Sequence, residues 1–439
     1  MEARGQAHSL GSGESLQAAD AEGHPIRVRA VVLAVAGFLV SLAACTGGGN
    51  RAPSVIGSAR SPSLTVSAAV STAPGSPLIS IVGRGDVALV GSNPALSIRP
   101  GGLPLIVYTA HSAPAEAPSE CGPDWSGCRS RVVACLDPAC STSTAVVLQT
   151  TGAQAVLAFG ADKLPVIAFH RDKRVFVAKC RDAACSKNTP SLVALARCCV
   201  DSPVVVAVGA DGRPVLAYQD PNDFYVRVVK CGNASCSAGR TVSKLSSLVD
   251  RGGIRYLLNT ISLDVPDDGR PALLIGDTTG AVRFVRCSDA TCSKSTAVTV
   301  DRSGNKFLTA TMALEGDGRP VIVEYASGQL KVASCNDPSC SSHTLTVVGK
   351  ADDEFIASVA PQVALGPKGL PVVAYWVQGR VLRIAQCEDL ACRASAISTF
   401  GKANTFAFAL GADGLPIIAY YDGADLKVAH CSDLSCASR

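Results

Sequence analysis

Charge is scarce in this chain. Asp, Glu, Lys and Arg together make up 17% of the residues, and a formal net charge of +4 is spread with mixed signs. Recognition of nucleic acid needs a concentrated basic field, so nothing here points to that partner. Methionine occurs twice and histidine six times, with no histidines at metal-ligand spacing. Gly-x-Ser-x-Gly, His-Glu-x-x-His, a phosphate loop and Cys-x-x-Cys are all missing, so the common nucleophile, zinc-protease, nucleotide and redox signatures are excluded. No helical periodicity runs along the body of the chain, which argues against an α or α/β fold. The apolar run Ala30–Ala44 is 15 residues long. That is short of the roughly 20 needed to cross a membrane.

Cysteine, in contrast, is abundant, with 19 in 439 residues. Either the compartment is oxidising or the cysteines hold metal. The N-terminus favours the first. Arg27 and Arg29 precede the apolar run, which has the length of a signal-peptide core and ends Leu42-Ala43-Ala44-Cys45. That ending resembles the bacterial lipobox. The resemblance implies acylation at Cys45, which becomes the first residue of the mature protein, and places the protein in the cell envelope on the outer surface of a membrane. Residues 1–45 are thus expected to be a signal peptide, with a long leading stretch that suggests a start at Val28. Residues 46–77 are mostly Gly, Ser, Ala, Pro and Thr, a composition that cannot offset its own ordering entropy. They are expected to be a disordered tether.

From residue 78 to 439 the chain repeats. Aligned on a proline, seven copies fall at Pro104, Pro165, Pro214, Pro271, Pro320, Pro371 and Pro416, a period of about fifty residues. Each copy reads as short strands. In the last, Thr405–Leu410 is followed by a Gly-Ala-Asp-Gly turn, Pro416–Tyr421, a second turn and Leu426–Cys431. Other copies continue into a fourth strand, such as Leu345–Val348 or Ala297–Val300. Four antiparallel strands repeated seven times predict an all-β fold, a seven-bladed β-propeller. The last copy stops before its fourth strand, while a spare strand, Leu78–Val82, precedes the first copy in the matching phase. The N-terminal strand is therefore expected to complete the last blade and close the ring. In its broad pattern the chain resembles secreted bacterial propellers of the sialidase-like and BNR-like kind. It lacks their Ser-x-Asp-x-Gly-x-Thr-Trp box, which leaves the resemblance at the level of fold.

Paired cysteines keep step with the repeat: Cys135 and Cys140, Cys180 and Cys185, Cys231 and Cys236, Cys287 and Cys292, Cys335 and Cys340, Cys387 and Cys392, Cys431 and Cys436. Each pair brackets the turn between the third and fourth strands. A zinc site needs four converging ligands and each pair supplies two, so structural disulfides are expected, with no metal and no cofactor. Asp or Asn stands two residues after every first cysteine, as a turn former would. Cys121 and Cys128, in an insertion with Trp125, form a further expected bridge. Adjacent Cys198 and Cys199 leave two pairings open, a vicinal disulfide or separate partners. Calcium needs several oxygen ligands within about a dozen residues. The Asp-Gly turns offer one carboxylate each, and the sixth copy has Lys368-Gly369 instead.

Loop variation marks the candidate binding face. The first-to-second turns and the cysteine turns hardly vary; the second-to-third turns and the blade-to-blade links do, notably Thr109 to Arg131 and Leu248 to Tyr256. In a propeller these two variable classes emerge on one face, where function usually sits. Candidate ligand contacts at the ends of the second strands are His170, Arg171, Asp172, Asp220, Asp277, Glu324, Trp376, Tyr421 and Asp422. Arg84-Gly85-Asp86 reads as a polar loop. The expected function is a lipid-anchored binding or scaffold module, monomeric, for a glycan, cell-wall polymer or protein. The alternative is a propeller-fold glycoside hydrolase or lyase, which needs two carboxylates about 5–10 Å apart beside the channel mouth. A sialidase-like site would also need clustered arginines, for which Arg171, Arg251 and Arg255 are nominal candidates.

Overall fold

Each copy of the repeat folds as its alternation requires. In the computed structural model, the second strands, such as Pro416–Tyr421 and Pro320–Ala326, are buried along their whole length. A strand enclosed on both faces has to be apolar on both, which explains runs such as PIIAYY and PVIVEYA. The structure describes residues 64–67, 76–83, 94–111, 128–148, 153–171, 174–195, 204–220, 222–245, 258–277, 279–304, 308–350 and 359–437.

Seven sheets form the blades, and in six of them the four repeat strands follow chain order from the channel outward. Blade three is Val204–Val208, Pro214–Gln219, Val226–Lys230 and Thr241–Lys244; blade five is Thr309–Leu314, Pro320–Ala326, Gln329–Cys335 and His343–Lys350. Blade seven takes Thr405–Leu410, Pro416–Tyr421 and Leu426–His430, and its fourth strand is Leu78–Gly83. Leu78 stands opposite His430, Ser80 opposite Val428 and Gly83 opposite Leu426. The first and last strands thus close the ring. Two boundaries differ from expectation. The third strand of blade seven ends at His430, where its pairing with Leu78 of the closing strand ends. The fourth strands run longer, as His343–Lys350 and Ser295–Arg302, because a bulge near their upper ends lets pairing continue.

Leu64–Ser67 is also a strand. It lies antiparallel to Thr142–Val147 on the outer edge of blade one, Leu64 opposite Ala145 and Ser67 opposite Thr142. An exposed edge offers unpaired amides and carbonyls to any extended segment. Part of the expected tether is therefore ordered backbone; residues 1–63, including Cys45, lie outside the described residues.

The core sits between blades. Val321, Val323 and Tyr325 of blade five pack on Val373, Tyr375 and Ala385 of blade six. Across the closing joint, Ile106 and Tyr108 of blade one meet Ile417, Ala419 and Tyr421 of blade seven, with the Tyr108 and Tyr421 rings edge to face at 6.4 Å. Around the channel, side chains of one inner strand bond the backbone of the next. Thr260 donates to the Ala310 carbonyl at 3.0 Å and Thr311 to the Pro361 carbonyl at 2.7 Å. Gln362 donates to Phe406 at 3.1 Å and accepts from the Phe408 amide at 2.7 Å.

One face of the ring is stapled. All seven repeat pairs are disulfides, each with Cα atoms 4.7 to 5.0 Å apart. The second cysteine of each has φ between 48° and 57°. Asp137 shows what holds that turn, accepting from the Ser141 amide at 3.0 Å, the Ser141 hydroxyl at 2.8 Å and the Thr142 amide at 2.9 Å. The Asp of the first-to-second turns is likewise committed. Asp162 meets Lys179 at 2.7 Å, Asp211 meets Lys230 at 2.8 Å and Asp413 meets His430 at 2.9 Å, each cation or imidazole being the residue just before a staple cysteine. The turn of blade seven touches those on both sides of it: a Cβ on Gly102 would meet Ala412 at 2.7 Å, and one on Gly414 would meet Pro367 at 2.4 Å.

Candidate functional site

The opposite, variable face is built where second strands end and third strands begin. Alternation there sends one residue of each second strand toward the preceding blade. Level with it on the third strand stands a cation in six of the seven blades. The pairs are Tyr108 with Arg131, Tyr218 with Arg227, Ile275 with Arg283, Glu324 with Lys331, Tyr375 with Arg383 and Tyr420 with Lys427. Blade two has Phe169 with Phe176, two rings stacked at 5.5 Å.

These cations account for most of the candidate acids. Asp277, 1% exposed, pairs with Arg283 and accepts the Thr279 amide at 2.9 Å. Asp422 is exposed, pairs with Lys427 and accepts the Ala424 and Asp425 amides, each at 3.0 Å. Burial raises its carboxyl, but Lys427 and those amides outweigh that and hold it at about 2. Asp220 lies 3.2 Å from Arg227, which also meets Asp223 at 2.6 Å. The candidate aromatics and His170 are enclosed. Trp376, 3% exposed, packs on Phe406 at 5.9 Å, and its amide donates to the Tyr325 hydroxyl. Tyr421 is 1% and His170 5% exposed. Arg171 ends its strand; its side chain lies outside the described residues, as do Asp172, Arg251, Arg255, Arg84-Gly85-Asp86, Cys121, Cys198 and Cys199. The nine candidates are thus not one cluster: those described sit in separate joints around the ring.

One joint differs in kind. Where other blades place Tyr, Phe or Ile, blade five places Glu324, 1% exposed. Neither of its carboxyl oxygens accepts a hydrogen bond among the described residues. Its neighbours are Lys331, 4.0 Å away, and Asp301 from the outer strand of blade four, which Lys331 meets at 2.6 Å. Burial, and then the adjoining Asp301 carboxylate, push Glu324 up to about 9, while Lys331 pulls the other way. Burial beside Asp301 thus favours the neutral carboxylic acid at Glu324. Burial raises Asp301 too, but the neighbouring Glu324 acid and Lys331 hold it below the usual carboxylate range. The triad is charge-balanced: one ammonium, one carboxylate, one neutral acid. Its acid faces protein, not solvent.

Blade three carries the most elaborate second-to-third turn that the structure describes. Asp220 donates its amide to the Tyr225 carbonyl at 2.8 Å and accepts from the Phe224 amide at 2.7 Å. Gln219 donates its side-chain amide to the Phe224 carbonyl at 3.0 Å. Asp223 meets Lys244 at 3.5 Å, and the Lys244 ammonium lies 3.3 Å from the Tyr225 ring centre. At the tip, Phe224 has φ 58° and is 40% exposed.

No protein-family model matches the chain, and no curated protein does. Solved propellers are similar to it. A structure described as that of the Dos1 propeller shares 10% identity over 80% of this chain and 94% of its own, with a TM-score of 0.46. The NanB sialidase from Streptococcus pneumoniae, in complex with 2-[(3-chlorobenzyl)ammonio]ethanesulfonate, shares 8% over 80% of this chain and 70% of its own, with a TM-score of 0.43. The chain is a seven-bladed β-propeller. Likeness at this level carries no activity across, so function must be argued from the propeller's own residues.

Two features escaped the sequence reading. The joint cations were visible in principle, as a Lys or Arg four residues before the first cysteine of six copies. Phe224 carried no signal, because its exposure and left-handed backbone belong to the folded turn.

Proposed function

We propose that this protein is an exported, lipid-anchored propeller that binds an extracellular ligand, a glycan or cell-wall polymer before a protein, on the face of the second-to-third turns. The observation that carries this reading is the division of labour between faces. One is a collar of near-identical turns and staples; the other departs from the repeat and holds the exposed ring of Phe224. Variable loops on a rigid scaffold are where recognition concentrates. The enclosure of Glu324 supports binding over hydrolysis, since a general acid must reach its substrate. The run ending at Cys45 and seven short-range disulfides support export.

A glycan and cell-wall fragment array, run with a hydrolysis assay on the same ligands, tests the reading. Binding without turnover is the expected result, and turnover of a bound glycan would replace a binding module with an enzyme. A Cys45→Ser variant should leave the membrane fraction; retention there would remove the anchor.

A further inference from the structure

Among the described residues, Phe224 is the one exposed aromatic side chain. It is also the one aromatic in the left-handed backbone region, with φ 58°. Bulky residues avoid that region, and where they occupy it the surroundings must impose it. The comparable turns of other blades place glycine in that region, at Gly280, Gly328, Gly379 and Gly423, joined by Ser327 and Arg380, neither of them aromatic. Glycine at residue 224 would relieve the strain without disturbing the turn, whose Phe224 bonds are all made by the backbone. The turn is therefore braced to hold a ring in solvent, in a backbone conformation that bulky residues avoid.

The surroundings indicate what the ring meets. No other exposed large apolar side chain lies on a described second-to-third turn; the rest are on outer or closing strands or in a cysteine loop. A protein-binding anchor is normally ringed by an apolar core, and no such ring surrounds Phe224 among the described residues. Beside the ring stand Asn222, exposed, and the half-buried Asp220, Asp223 and Arg227, with Lys244 behind them. The two carboxylates and two cations cancel. An anionic ligand would meet arginine and lysine already paired, whereas an uncharged, hydroxyl-rich ligand finds donors and acceptors without opposing charge. A pyranose ring presents a face of polarised C–H groups, which packs on the negative face of an aromatic ring. Bracing lowers the ordering cost of such a contact.

We infer that Phe224 is a stacking platform for a neutral oligosaccharide, with the Asn222 amide and the Asp223–Lys244 pair as its polar flank. This deepens, and rests on, the proposal that the variable face binds a glycan. The test is calorimetry of the full-length protein with the hexaoses of β-1,4-glucose, β-1,4-N-acetylglucosamine and mannose, and with sialyllactose as an anionic probe. At least one neutral hexaose should bind, Phe224→Gly should weaken it at least tenfold, and Phe224→Trp should preserve it. Thermal melting of Phe224→Gly should be unchanged or higher. Equal binding by Phe224→Gly would overturn the platform while leaving glycan recognition by the protein intact. Binding of none of the neutral hexaoses, or of sialyllactose alone, would overturn it as well. So would a marked fall in the melting temperature of Phe224→Gly, because the ring would then be packing rather than platform.

Discussion

Replacing Glu324 with glutamine should flatten the alkaline side of the protein's stability profile. In the native protein burial and the adjoining Asp301 push this carboxyl up to about 9, against 4.5 for the free group. Between those values the folded chain holds a proton that the unfolded chain has released. Stability is therefore fully present below the lower value and falls as pH rises toward the upper one, by as much as about 1.4 kcal/mol per pH unit. Summed over the window, the loss is on the order of 5 kcal/mol, a large share of a typical stability. Glutamine keeps the shape and a donor toward Asp301 but cannot ionise. Melting curves of both proteins from pH 5 to pH 9.5 are the assay. The wild type should lose stability across that range and Glu324→Gln should lose much less, so that the variant is the more stable near pH 9. Parallel profiles would show that the joint holds no buried acid. At the acid end the sign reverses. Asp301, held below its usual value of 3.8, contributes stability that disappears as pH falls through that region, and Asp301→Asn should remove that dependence.

Further predictions concern the stapled face. Gly414→Ala forces a Cβ to within 2.4 Å of Pro367 at φ 76°, whereas Gly369→Ala, at φ 73°, meets nothing within 4 Å. Both carry a left-handed penalty of about 1 kcal/mol, and Gly414→Ala should cost a further 1–3 kcal/mol or so in chemical denaturation. Equal losses would mean that the turns of blades six and seven do not touch. Removing one staple as Cys335→Ser with Cys340→Ser should cost roughly 2 kcal/mol, the chain-entropy value for so short a loop. A loss near zero would assign the turn to its Asp337 cap alone.

Much of the fold was legible because the repeat marks it redundantly. Pro320 and Pro371 open second strands, and Cys335 and Cys387 end third strands, where the spacing placed them. The candidate site was less legible, and the reason is geometric. In a sheet with one wet face, alternation separates core from solvent; in a propeller both faces of a blade are joints. Trp376 and Glu324 read as polar or amphipathic residues near an exposed strand end, yet one faces the next blade and the other the preceding blade, and both are enclosed. Leu64–Ser67 escaped notice for another reason, since four residues in a Ser- and Ala-rich stretch find their partner only after blade one exists.

Closure of the ring by the chain's N-terminal strand is the claim on which the arrangement of both faces depends, and truncation tests it most directly. Ser80 and Val82 of that strand are 0% and 3% exposed, and its backbone completes blade seven. Proteins beginning at residue 76 and at residue 84 should be compared by thermal unfolding. The first should melt cooperatively and close to the full-length protein, while the second should melt many degrees lower or fail to fold. Indistinguishable melting of the two would contradict the closed propeller described here.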